Sequence, residues 1–113
     1  MANFLSQREV VIILVPFSNL RQFKTRPAIV ASKDDYNKKF QDFIAIPLTS
    51  NLKERQHVVK ITKKEMESGA LLQDSNAKID KIFSVDQSLI KIKIGKIKKE
   101  SFNEIKKMLL DLI

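Results

Sequence analysis

The side chains able to do chemistry in this sequence are few, and their scarcity restricts the possible reactions. There is one histidine, His57, and no cysteine. A thiol nucleophile, a zinc-thiolate site and an acid–base pair of two histidines are therefore excluded within one chain. The acidic pair Asp34-Asp35 reads more readily as a helix start, where carboxylates meet the positive end of the helix dipole, than as a metal site. His57 opens a β-rich stretch and reads more readily as a satisfied surface or core residue than as a catalyst. What remains is catalysis by position and charge, in which the substrate supplies its own nucleophile and the protein stabilises the charge that develops.

Arg26 and Thr49 suit that chemistry. The Arg26 guanidinium stays charged at any working pH and presents a planar fork of donors to phosphate oxygens. Pro27 holds Arg26 in extended conformations, which sets the direction in which the side chain leaves the backbone. An arginine paired with a surface carboxylate would show the same residues. Thr49 stands just past Pro47, where its hydroxyl can donate to a nonbridging oxygen; it can equally be a β-branched residue finishing a strand or capping a turn. A guanidinium accepts protons poorly, so a base is also needed. Asp80 is the candidate: it is two residues from Lys78 on an expected strand, which puts both on one face. An exposed ion pair explains that spacing as well.

The elements that must position these groups fit one domain over residues 1–113. At 43% hydrophobic residues the chain can build a single core. Its 21 Lys and Arg against 13 Asp and Glu give a net charge of +8, which favours a polyanionic partner. Val10 to Val15 is the longest apolar run, too short to span a membrane, and no targeting segment is evident, so a cytoplasmic location is expected.

Strand signals dominate. Val10–Val15, stopped by Pro16, suits a strand covered on both faces. Pro27–Ala31 and Phe43–Ile46 follow, then the short His57–Ile61. Ile79–Val85 and Leu89–Ile94 suggest a hairpin around 86–88. In the latter, Ile90, Ile92 and Ile94 alternate with Lys91 and Lys93, the pattern of a strand with one core face and one cationic face. Ser32 with Asp35, Thr62 with Glu65 and Ser101 with Glu104 resemble capping boxes, and Gly69 could close the second helix. In the third helix Phe102, Ile105, Met108, Leu109 and Leu112 share a face, while Leu110 and Ile113 widen it beyond one packing surface, as though a partner subunit covered the surplus. Together these predict a mainly β, α+β fold: a small, strongly bent antiparallel sheet or open barrel with short inserted helices and a C-terminal helix.

Four strings, in order, resemble the PemK/MazF toxins, whose SH3-like barrel superfamily includes the gyrase poison CcdB. They are the opening strand Glu9–Leu20, Thr25-Arg26-Pro27-Ala28-Ile29-Val30, Ile46-Pro47-Leu48-Thr49-Ser50, and Lys81–Asp86 leading to Lys93-Ile94-Gly95-Lys96-Ile97. Arg8-Glu9 departs from the Gly-Asp usual before the first strand. The resemblance implies a sequence-specific endoribonuclease that needs no metal or other cofactor and cuts single-stranded RNA by attack of its own 2'-hydroxyl, which DNA lacks. It implies catalytic roles for Arg26 and Thr49, a site pair similar to Lys78 and Asp80, a homodimer with RNA in a groove along its interface, and an acidic antitoxin. RNA contacts are expected from the 18–25 loop with Arg21 and Lys24, from Ser50, Asn51 and Lys53, and from Lys78, with Phe17 either stacking on a base or filling the core. A CcdB-like gyrase inhibitor would share the fold without needing Arg26 and Thr49, and a silent RNA- or antitoxin-binding module would share both.

Overall fold

Short hydrophobic runs broken by polar turns favour strands over long helices, and the described residues fold into eight strands and two α-helices. The structure, a computed structural model, describes residues 4–16, 23–53 and 56–113. The elements run β1 (Glu9–Pro16), β2 (Phe23–Val30), α1 (Asp34–Lys39), β3 (Asp42–Thr49), β4 (Val58–Ile61), β5 (Met66–Gly69), β6 (Ser75–Lys78), β7 (Phe83–Asp86), β8 (Ile90–Ile97) and α2 (Lys99–Leu112), with one-turn 3-10 helices at 63–65, 79–81 and 87–89. They form one curled antiparallel sheet in the order β4-β6-β3-β2-β1-β8-β5, with β7 also on β3. The mainly β fold with a C-terminal helix is as expected.

Alternation along the central strands feeds two cores, one on each side of the sheet. Val10, Ile29, Ile46 and Leu48 join Phe102 and Ile105 of α2 in one. Val11, Ile13, Ala28, Val30, Phe43, Ala45 and Val85 form the other. β1, β2 and β3 are thus covered on both faces, which is why their sequences are nearly continuous apolar runs.

Several local expectations give way to tertiary pairing. The hairpin around 86–88 does not form: β7 pairs with β3, Phe83 facing Ala45, whereas β8 pairs with β1 and β5. The isoleucine face of β8 is only partly core: Ile94 and Ile90 pack half-buried against the first and second cores, while Ile92 between them is 57% exposed. Ser32 does not cap α1; it is buried, its hydroxyl bonded to Asn37 and accepting the Ile44 N–H. Thr62 and Glu65 do make a capping box, but it opens a single 3-10 turn, and Gly69 ends β5 instead of a helix. α2 starts two residues before Ser101, whose side chain is buried. Leu110 and Ile113 are left 70% and 91% exposed.

Arg8, where the resembling toxins usually carry glycine, has a φ of 79°, in the left-handed region where a side chain is strained. Its guanidinium holds the turn in place, donating to the Ile97 carbonyl at 2.7 Å and to Glu67 at 3.1 Å.

The two glycines of the sequence, Gly69 and Gly95, face each other across β5 and β8. A Cβ at Gly69, where φ is +73°, would overlap the Ile94 carbonyl, and one at Gly95 would overlap that of Ser68. Neither contact is to a flexible side chain that can swing away. Gly69→Ala is expected to cost roughly 3 kcal/mol through overlap and backbone strain, measured as a lowered midpoint in urea unfolding with the slope unchanged.

Candidate active site

Neighbouring strands β2 and β3 bring the two chemistry-bearing residues to one groove. Ala28 pairs with Pro47 and Ile29 with Ile46; Arg26 and Thr49 each lie two residues beyond the Ala28–Pro47 pair, Thr49 pairing with Asn76 of β6, and both line the groove. On β2, Arg26 has the parity of Ala28 and Val30, and on β3, Thr49 has that of Phe43 and Ala45. Both side chains therefore leave the sheet on the side of the second core, just beyond where that core ends. The β1–β2 ladder, in which Arg26 pairs with Ile13, fixes the backbone beneath the guanidinium. Strand β2 begins earlier than the sequence suggests, so Lys24 and Thr25 lie on the strand and not in a loop. β3 likewise runs through Pro47 to Thr49.

Arg26 and Thr49 open into a groove of about 880 Å³. Arg26 is exposed and forms no ion pair among the described residues, so pairing with a surface carboxylate does not account for it there. The Thr49 hydroxyl accepts the Asn51 N–H at 3.2 Å, and Asn51 Oδ1 accepts the Lys53 N–H at 3.0 Å. These bonds close the turn after β3 on itself. Accepting one bond leaves the Thr49 hydroxyl proton to donate elsewhere.

Of the other expected residues, Ser50, Asn51 and Lys78 line the groove with Arg26 and Thr49, whereas Lys24, Lys53 and Asp80 do not. Lys78 and Asp80 do not share a strand face. β6 ends at Lys78, and Asp80 sits in the 3-10 turn that follows, exposed, 3.9 Å from Lys81 Nζ. Phe17 and Arg21 lie outside the described residues. His57 is exposed, its backbone at φ 58°, with its carbonyl accepting the Ile79 N–H; it does not line the groove. Asp34 and Asp35 lie in the first turn of α1, as helix-start chemistry anticipates, and Asp34 also accepts the Gln7 N–H.

Four polar or aromatic groove residues are not anticipated from the sequence: Lys81, Phe83, Gln73 and Ser75. The first two belong to the string 81–86 and carried no signal of their own, because only the break after Lys78 turns them to the groove. Gln73 and Ser75 sit where β5 crosses to β6, in a stretch without periodicity. Arg26, Lys78 and Lys81 make the polar part of the groove cationic, and no group of three or more metal-ligating side chains occurs among the described residues.

This curled sheet, with an arginine and a threonine lining one cationic groove, defines a small β fold that has counterparts among solved structures. A chain of the MazE-MazF crystal structure (Form-II) from Deinococcus radiodurans superposes with a TM-score of 0.81 at 19% identity, over 98% of this chain and 96% of that one. A mycobacterial endoribonuclease in complex with its cognate antitoxin gives 0.76 at 16% identity, over 97% and 93%. The Mycobacterium tuberculosis toxin MazF-mt6 gives 0.69 at 13%, over 89% and 93%. No curated protein matches the chain in sequence. The profile of the PemK-like, MazF-like toxins of type II toxin-antitoxin systems matches residues 6–113, and the chain belongs to that family.

Proposed function

We propose that this protein is the toxin of a type II pair, a metal-independent endoribonuclease that cuts single-stranded RNA. The placement of Arg26 and Thr49 in the lining of one cationic groove carries the proposal. The RNA's 2'-oxygen attacks the adjacent phosphorus as the bond to the 5'-oxygen of the next nucleotide breaks and that oxygen takes a proton from water, leaving a 2',3'-cyclic phosphate and a free 5'-hydroxyl. Arg26 donates its fork to the nonbridging oxygens, and Thr49 adds a neutral donor from the opposite strand. Both donors are built on paired strands, so they are in place before charge develops. The proposed acceptor of the 2'-hydroxyl proton is Asp80, which lies outside the groove lining and 3.9 Å from the groove residue Lys81.

Lys78 and Lys81 supply attraction for flanking phosphates, while Ser50 and Asn51 are neutral donors in reach of the strand. The relatives crystallised with antitoxins and the charge of +8 support an acidic antitoxin as partner in the cytoplasm. The exposed Ile92, Leu110 and Ile113 support a homodimer.

Incubation of the protein with a long single-stranded RNA and its DNA counterpart in excess EDTA tests the activity. Discrete RNA fragments ending in 2',3'-cyclic phosphate, with DNA intact, are the expected result. RNA left intact over many sequences would refute the enzyme and leave a binding toxin.

A further inference from the structure

Among the described residues, Phe83 is the only aromatic that lines the groove. It opens β7 and is locked to the centre of the sheet by its pairing with Ala45. The ring is half-buried and packs on the second core, formed around Phe43, Ala45 and Val85, yet it also borders the groove. Lys81, two residues before it, lines the same groove. A nucleotide presents two surfaces to such a site, a flat apolar base and an anionic phosphate. Phe83 and Lys81 offer one group for each.

Resting on the ribonuclease proposal, we infer that Phe83 is the stacking platform for a base of the bound RNA strand, with Lys81 on a phosphate beside it. The remaining apolar lining has no aromatic ring among the described residues and includes Ile12, Val15, Leu72 and Ile94. An aliphatic side chain can touch a base but lacks the planar face on which bases stack. Packing on the core already restricts the ring, so little further freedom is lost on binding. Stacking tolerates any base, so Phe83 contributes affinity and registers the strand over Arg26 and Thr49, while sequence discrimination falls to the polar groups.

The sequence contains no tryptophan, so Phe83→Trp introduces a single indole at the proposed contact. The probe is a single-stranded RNA carrying 2'-O-methyl groups throughout, which cannot be cut by 2'-hydroxyl attack. On titration the indole fluorescence should be quenched, with affinity kept in Phe83→Trp and Phe83→Tyr. Phe83→Leu should weaken binding roughly five- to a hundredfold, the range for losing one stacked base, with its circular dichroism spectrum unchanged. In cleavage of unmodified RNA the loss should appear in KM more than in kcat. Wild-type affinity in Phe83→Leu together with an unquenched indole would overturn the stacking role and leave Phe83 as core, with the ribonuclease proposal intact. Absence of RNA binding by the wild-type protein would overturn both.

Discussion

Arg26→Ala should lower the rate of RNA cleavage by about a hundredfold or more, the usual loss for one donor aimed at a transition-state oxyanion. The side chain is exposed and has no ion pair among the described residues, so removing it takes away little packing and leaves no ion-pair partner among them. Thermal stability should stay within about 0.5 kcal/mol of wild type, as for surface substitutions generally. Arg26→Lys is the sharper variant. It keeps the charge but loses the planar fork, and a point charge on a flexible stem cannot engage two oxygens at once. If geometry matters, the lysine variant will recover only part of the loss. Full recovery would show that Arg26 supplies long-range attraction alone, and an alanine variant with wild-type kcat would remove Arg26 from the chemistry.

Thr49→Val should cost about a hundredfold in kcat for the same reason, while Thr49→Ser, which keeps the hydroxyl, should stay close to wild type. The valine also removes the acceptor for the Asn51 N–H, and the loss of that bond is worth about 1 kcal/mol in the turn. Single-turnover kinetics at saturating RNA separate the two effects. A lost transition-state donor lowers the cleavage step itself, whereas a loosened turn raises the RNA concentration needed for saturation. Equal kcat for valine and serine would reduce Thr49 to a turn residue. Combining Arg26→Ala with Thr49→Val should cost less than the product of the single losses, because groups acting on one transition state are not additive.

The elements most legible in the sequence were those whose periodicity and punctuation agreed. β1 ends at Pro16 as its β-branched run implies, and α2 buries Phe102 and Ile105 on the expected face. Legibility failed where a partner decided the outcome. Nothing local to 83–97 shows that β7 turns to β3 while β8 joins β1, since both strands have the composition of a hairpin. Pro47 looks like a strand end, yet β3 continues through it to Thr49. Ladder pairing is given there by Ala28, and the missing N–H of proline is tolerated only where the partner strand does not call for it.

From the sequence alone followed the types of group available: one fork-shaped cation behind a proline, one hydroxyl after another, a single histidine, no thiol, and a strong positive charge. Those exclude most hydrolytic chemistries, because what a side chain can donate or accept is a property of its own atoms. Only the tertiary structure decided which of them meet. The β2–β3 pairing brings Arg26 and Thr49 to one groove, and the break after Lys78 turns Lys81 and Phe83 into that groove while leaving Asp80 off its lining. Both outcomes come from hydrogen-bond pairing between segments distant in the chain, and a one-residue slip in such a ladder would send each side chain to the opposite face.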